Sequence, residues 1–243
     1  MNVEVLNTAG AVAQRAAAII AEEARAGLAA HGRFVMAVSG GHTPWQMLRV
    51  LATSNMPWLP VHVVQVDERV APAGHPDRNV THLRESLLDR TPLPAEQMHE
   101  MPVEAADLET AAVQYAATLR RIAGFSPVLD LVHLGLGPDG HTASLVPGDP
   151  VLNVLNADVA LTAVYQGRRR MTLTYPVINR SRRILWTVTG SEKASMLKRF
   201  LDGDQSIPAA RVRRERALVI ADEAAVLELR TEYQLKNSRE SSA

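Results

Sequence analysis

Short apolar runs that stop abruptly at polar or glycine-rich segments recur along this 243-residue chain, with stretches of helical spacing between them. Residues 34–38 end in Ser39-Gly40-Gly41, residues 61–66 end in Asp67-Glu68-Arg69, and residues 129–134 end at Gly135. Runs this short between turn-formers read as strands buried on both faces. Residues 8–30 place Ala13, Ala16, Ala17, Ile20, Ala24 and Leu28 at helical spacing, and Gly32 stops them. Pro44 suits the first turn of a second helix, and residues 80–88 and 106–122 predict two more. Further strands are expected at 159–164, 171–174, 184–188 and 217–221, with a helix over 191–201 and a short closing helix to 229. Strands alternating with helices predict an α/β fold, a mainly parallel sheet with helices on both faces.

The composition supports one such unit. Hydrophobic residues make up 47% of the chain, enough for a continuous core, and no compositional break or fixed-period repeat divides it. Residues 1–235 are therefore expected to form a single domain, with 236–243 a loose polar tail. The 26 basic residues balance the 26 acidic ones, which excludes the charge signature of a general nucleic-acid binder or a polybasic membrane-surface protein. No apolar run approaches the roughly 20 residues a membrane span needs, and the first ten residues lack a secretory pattern. A cytoplasmic protein with a small-molecule partner is expected, and the oligomeric state stays open, with a monomer compatible. Cysteine is absent, so thiolate chemistry and cysteine-based metal sites are excluded, and the histidines show no metal-ligand spacing. No metal or cofactor is expected.

The unusual polar residues lie just after the expected strands. In a parallel sheet the strand C-termini share one edge, so loops distant in sequence line one crevice. Ser39-Gly40-Gly41 with Thr43 has the chemistry for phosphate: glycines permit close backbone approach, and the following helix N-terminus favours an anion. Lys occurs only at Lys193, Lys198 and Lys236, and Lys193 sits in the first turn of its expected helix, where a bound anion would compensate its charge. Asp67, Glu68 and Arg69 read either as a self-paired charge cluster or as a substrate clamp in which Asp67 orients Arg69. Arg168-Arg169-Arg170 reads as a solvated approach to a strand. Gly135-Leu136-Gly137-Pro138-Asp139-Gly140 matches a dinucleotide fingerprint in form only. Pro138 removes an N–H, Asp139 would repel pyrophosphate, and His141-Thr142-Ala143-Ser144 stands where a helix should open. A glycine-rich loop presenting Asp139 and His141 is instead an acid–base arrangement.

Together, Ala37 to Pro44, Asp67-Glu68-Arg69 with His75-Pro76 and Asn79, Leu134 to Leu145, Arg170 to Thr174, and Thr189-Gly190 with Lys193-Ala194 resemble the 6-phosphogluconolactonase family. The resemblance implies a Rossmann-like fold and metal-free hydrolysis of 6-phospho-D-glucono-1,5-lactone to 6-phosphogluconate in the oxidative pentose phosphate pathway. It also implies that His141 is the acid–base residue, that the Ser39–Thr43 loop and Lys193 hold phosphate, and that Arg69 contacts substrate. The related glucosamine-6-phosphate isomerase family has Tyr where this chain has Arg69 and Glu where it has Val146. A sugar-phosphate sensor that binds without catalysis is the alternative from another class. The chain lacks the Trp that many lactonases carry in the last strand, near Ala217.

Overall fold

The computed structural model describes residues 1–229. The strands are β1 (Asn2–Leu6), β2 (Phe34–Val38), β3 (Val61–Gln65), β4 (Asp67–Arg69), β5 (Met98–His99), β6 (Leu131–Leu134), β7 (Val159–Leu161), β8 (Arg170–Leu173), β9 (Arg183–Val188) and β10 (Ala217–Asp222). The helices are α1 (Ala9–His31), α2 (His42–Ala52), α3 (Asn79–Ser86), α4 (Leu108–Ala123), α5 (Tyr175–Arg180) and α6 (Ala194–Asp202). Seven strands form one sheet in the order β1-β10-β9-β6-β2-β3-β5, and every pairing in it is parallel.

The two-faced burial expected of parallel strands is visible residue by residue along β2. Phe34, Met36 and Val38 pack with α1, α2 and Leu83 of α3 on one face, while Val35 and Ala37 join the core under α4, α5 and α6 on the other. Helix boundaries follow local chemistry. Thr8 caps α1 by accepting from the Ala11 N–H at 3.2 Å, and Gly32 closes it in the left-handed region at φ 76°. Asp107 caps α4 in the same way through the Thr110 N–H at 3.1 Å.

Several elements depart from the sequence reading. Strands β1 and β5 and helix α5 were not anticipated: β1 and β5 are short edge strands whose pairing partners are remote in sequence. The expected strands at 159–164 and 171–174 do form, as β7 and β8, but outside the parallel sheet. They pair antiparallel with each other and with β4 in a separate three-stranded sheet. Their connection is too short for a parallel crossover and closes instead as a tight turn between Tyr165 and Arg168. Asp67-Glu68-Arg69, the polar segment at which the run 61–66 was expected to end, is itself strand β4. The last described residues, 227–229, are helical, and the expected tail at 236–243 lies outside the described residues.

Candidate active site

The loops after β2, β6 and β9 meet β4 and β8 at the C-terminal edge of the large sheet, where they enclose a cavity of about 440 Å³. Ser39, Gly40, Gly41, Thr43, Asp67, Arg69, His141 and Lys193 all line it, so eight of the nine residues singled out from sequence share one space. The ninth, Asp139, stands behind His141.

The Asp139–His141 pair is built by a turn. Asp139 Oδ1 lies 2.5 Å from His141 Nδ1 and also accepts the His141 backbone N–H at 3.1 Å, so one oxygen fixes both the ring and the chain that carries it. Burial raises the Asp139 carboxyl, but the hydrogen bond and charge of His141 and a hydrogen bond from Tyr165 outweigh it and hold the group well below the usual carboxylate range. An ionised Asp139 keeps the proton on Nδ1 and leaves the Nε2 lone pair of His141 free. Gly137 makes this packing possible: a Cβ there would stand 2.1 Å from His141 Nδ1. No helix opens after β6, in keeping with rejection of the dinucleotide reading, and Ala143 on the same loop holds a left-handed φ of 51°.

The opposite wall suits an anion. Gly41 precedes α2 without a side-chain cap, so the first-turn N–H groups of that helix remain available beside the cavity. Ser39 donates its hydroxyl to the His133 carbonyl at 2.8 Å, and Thr43 and Thr189 share one hydrogen bond at 2.6 Å, tying the β2 loop to the β9 loop. That bond uses one of the two threonine protons, so the cavity is offered backbone N–H groups and one threonine O–H. Lys193 ends a single 3₁₀ turn, Ser191–Lys193, that precedes α6, and the Gly190 N–H at its start is anchored to Asp222 at 3.0 Å.

In the Asp-Glu-Arg segment the clamp reading needs correction. Asp67 does not bond the Arg69 guanidinium. It accepts from Ser144 Oγ at 2.5 Å and from Asn79 Nδ2 at 3.2 Å, and Asn79 Oδ1 in turn receives Arg69, so Asp67 orients Arg69 only through Asn79. Glu68 faces away from the cavity into the protein and is fully buried. It accepts from Gln65 Nε2 and from the backbone N–H groups of Arg69, Asn79 and Val80 at 2.7–2.8 Å, and it pairs with Arg78 at 3.3 Å. It thereby caps the first two N–H groups of α3. Gly40 is required for close approach, since its Cβ would meet Asn79 Oδ1 at 1.9 Å.

Sequence reasoning did not single out Tyr165, and it gave Asn79 and Arg170 no site role beyond their place in the motifs of the resemblance. The reading of Arg168 to Arg170 as solvated fails at its last residue: Arg170 is 4% exposed and lines the cavity, with its guanidinium carbon 4.8 Å from the Tyr165 ring centroid. A cation buried on a strand is unusual enough to mark a site, but only the fold reveals that β8 turns this residue inward. Among the described residues no group of three or more His, Asp or Glu is placed to hold a metal ion, and no helix is long and apolar enough to cross a membrane.

Fold and site thus define an α/β protein with an anion-receptive loop and an Asp–His pair in one crevice. The chain belongs to the family of glucosamine-6-phosphate isomerases and 6-phosphogluconolactonases, whose model matches residues 7–220. It is 38% identical over 200 residues to a 6-phosphogluconolactonase of Synechocystis sp., covering 80% of this chain and 82% of that one. It is 37% identical over 216 residues to a human 6-phosphogluconolactonase, with coverage of 83% and 79%. Among solved structures, 6-phosphogluconolactonase from Thermotoga maritima superposes with a TM-score of 0.81 at 26% identity, covering 91% of this chain and 98% of that one. A monomeric glucosamine-6-phosphate deaminase shares the fold with a TM-score of 0.81 at 20% identity, covering 93% and 98%.

Proposed function

We propose that this protein hydrolyses 6-phospho-D-glucono-1,5-lactone to 6-phospho-D-gluconate, with His141 as general base and no metal or organic cofactor, as the second step of the oxidative pentose phosphate pathway. The observation that carries the reading is the placement of the Asp139–His141 pair and of Lys193, Arg170 and the uncapped α2 N-terminus around one cavity. A cytoplasmic location goes with this reading.

In this mechanism Nε2 of His141 takes a proton from water as its oxygen adds to the lactone carbonyl. The tetrahedral intermediate collapses by breaking the bond to the ring oxygen, and the imidazolium returns the proton to that oxygen. Asp139 stabilises the imidazolium formed between the two steps. Phosphate held by Lys193 and the Ser39–Thr43 backbone orients the carbonyl toward His141, and Arg69 and Arg170 meet the oxygen-rich sugar. Two positions argue against the isomerase reaction. Where that family has Glu this chain has the buried, uncharged Val146, and where it has Tyr this chain has Arg69.

The test is turnover of lactone generated in situ, measured against spontaneous hydrolysis, for wild type and His141→Asn. Wild type should accelerate the reaction, and the variant should lose roughly a hundredfold or more in kcat with little change in KM. Ligand binding by wild type without acceleration would support a sensor. An unchanged variant would remove His141 as the base.

A further inference from the structure

Asp139 has two carboxylate oxygens, and the acid–base pair uses one. The other, Oδ2, accepts the Tyr165 hydroxyl at 2.9 Å. We propose that Tyr165 is a positioning residue for the reaction, fixing the Asp139 carboxylate and through it the orientation of His141. This inference rests on the hydrolase reading above.

The geometry around Tyr165 is specific. Its ring stands edge-on to the His141 imidazole, with centroids 5.7 Å apart and planes at 68°, so one side chain contacts both members of the pair. It is presented by a tight two-residue turn in which Tyr165 N–H donates to the Arg168 carbonyl at 2.9 Å, while Gln166 and Gly167 take positive φ of 51° and 80°. A non-glycine residue in that region is disfavoured, so the turn is held by its surroundings. Arg170 supplies the hold: it stacks on the Tyr165 ring and donates to Gln166 Oε1 at 3.0 Å. The Asp139 side chain is about one-third exposed (34%), so without the hydroxyl Oδ2 would be open to water and the carboxylate free to rotate away from Nδ1.

The charged and titratable groups facing this assembly are His141 and Asp139 from the β6 loop, Arg170 from β8, and Arg69 and Asp67 from β4. Burial, then the hydrogen bond and charge of Asp139, push the Tyr165 hydroxyl above its ordinary value, against the opposing charge of Arg170. Tyr165 therefore remains a proton donor across the neutral range.

The experiment compares wild type, Tyr165→Phe, Asp139→Asn and the double variant. Acceleration of lactone hydrolysis by wild type is established first, so that failure of the hydrolase reading is separate from failure of this one. Tyr165→Phe should lower kcat about tenfold with KM within twofold, and shift the downfield Nδ1–H proton resonance of His141 with Tm unchanged. The double variant should be no slower than Asp139→Asn alone, because the hydroxyl acts through that carboxylate. An unmoved Nδ1–H resonance, additive losses in the double variant, or a rise in KM with kcat intact would each overturn the proposal. The last would assign Tyr165 to substrate binding.

Discussion

Gly137→Ala is a one-carbon test of whether His141 must stand where it does. The added Cβ would lie 2.1 Å from His141 Nδ1, 2.3 Å from Cε1 and 2.7 Å from Cγ, whereas ordinary contact begins near 3.4 Å. The ring must therefore withdraw by at least about 1.3 Å, and a displacement of that size costs on the order of a hundredfold in rate when it affects a reacting group. The 2.5 Å bond to Asp139 cannot survive it. A hundredfold is about 2.7 kcal/mol of barrier. Gly137 is not among the positive-φ glycines, so alanine is tolerated by the backbone and thermal stability should change little. The assay is kcat on lactone generated in situ, with Tm as the control for folding. Combining Gly137→Ala with His141→Asn isolates the cause, since an alanine that acts only by displacing the imidazole has nothing left to displace. Full activity in Gly137→Ala, or a further large loss in the double variant beyond His141→Asn, would refute the reasoning.

Replacing Lys193 by Ala should raise KM for the phosphorylated lactone roughly ten- to a hundredfold, the worth of a charge-assisted contact, and leave unphosphorylated gluconolactone nearly unaffected. Equal losses on the two substrates would remove Lys193 from the phosphate site. Glu68→Gln should destabilise the fold by about 1–3 kcal/mol, because an amide nitrogen would replace one of the two buried oxygens that accept the Gln65, Arg69, Asn79 and Val80 N–H groups, while Arg78 keeps Glu104 at 2.7 Å. A urea melt measures this, and a loss below about 1 kcal/mol would show that Glu68 serves as a neutral acceptor. Wild type should release no ammonia from glucosamine 6-phosphate, because no carboxylate occupies position 146. Measurable release would return the isomerase reading.

What the sequence determined by itself is what depends on neighbours along the chain. Apolar runs such as 34–38 and 129–134 specify buried strands because their side chains leave no polar face to expose, and Thr8, Gly32 and Asp107 place helix ends because capping is satisfied within a few residues. The Asp139–His141 pair was legible for the same reason: it closes within one turn, and the surrounding glycines announced how tightly. Lys193 and the Ser39–Thr43 loop followed from the rule that the strand C-termini of a parallel sheet share an edge. The tertiary structure alone decided the partners that lie far away in the chain. Tyr165 reaches Asp139 across 26 residues, Ser144 reaches Asp67 across 77, and Thr43 meets Thr189 across 146. No local pattern distinguishes such contacts from solvated side chains. Arg170 was misread because its neighbours Arg168 and Arg169 are more exposed, and inward or outward on β8 is set by its pairing with β4, a strand that polar sequence had hidden. Glu68 was read only as part of a self-paired charge cluster or a substrate clamp, because the backbone N–H groups it satisfies are brought to it only once α3 has been packed against it.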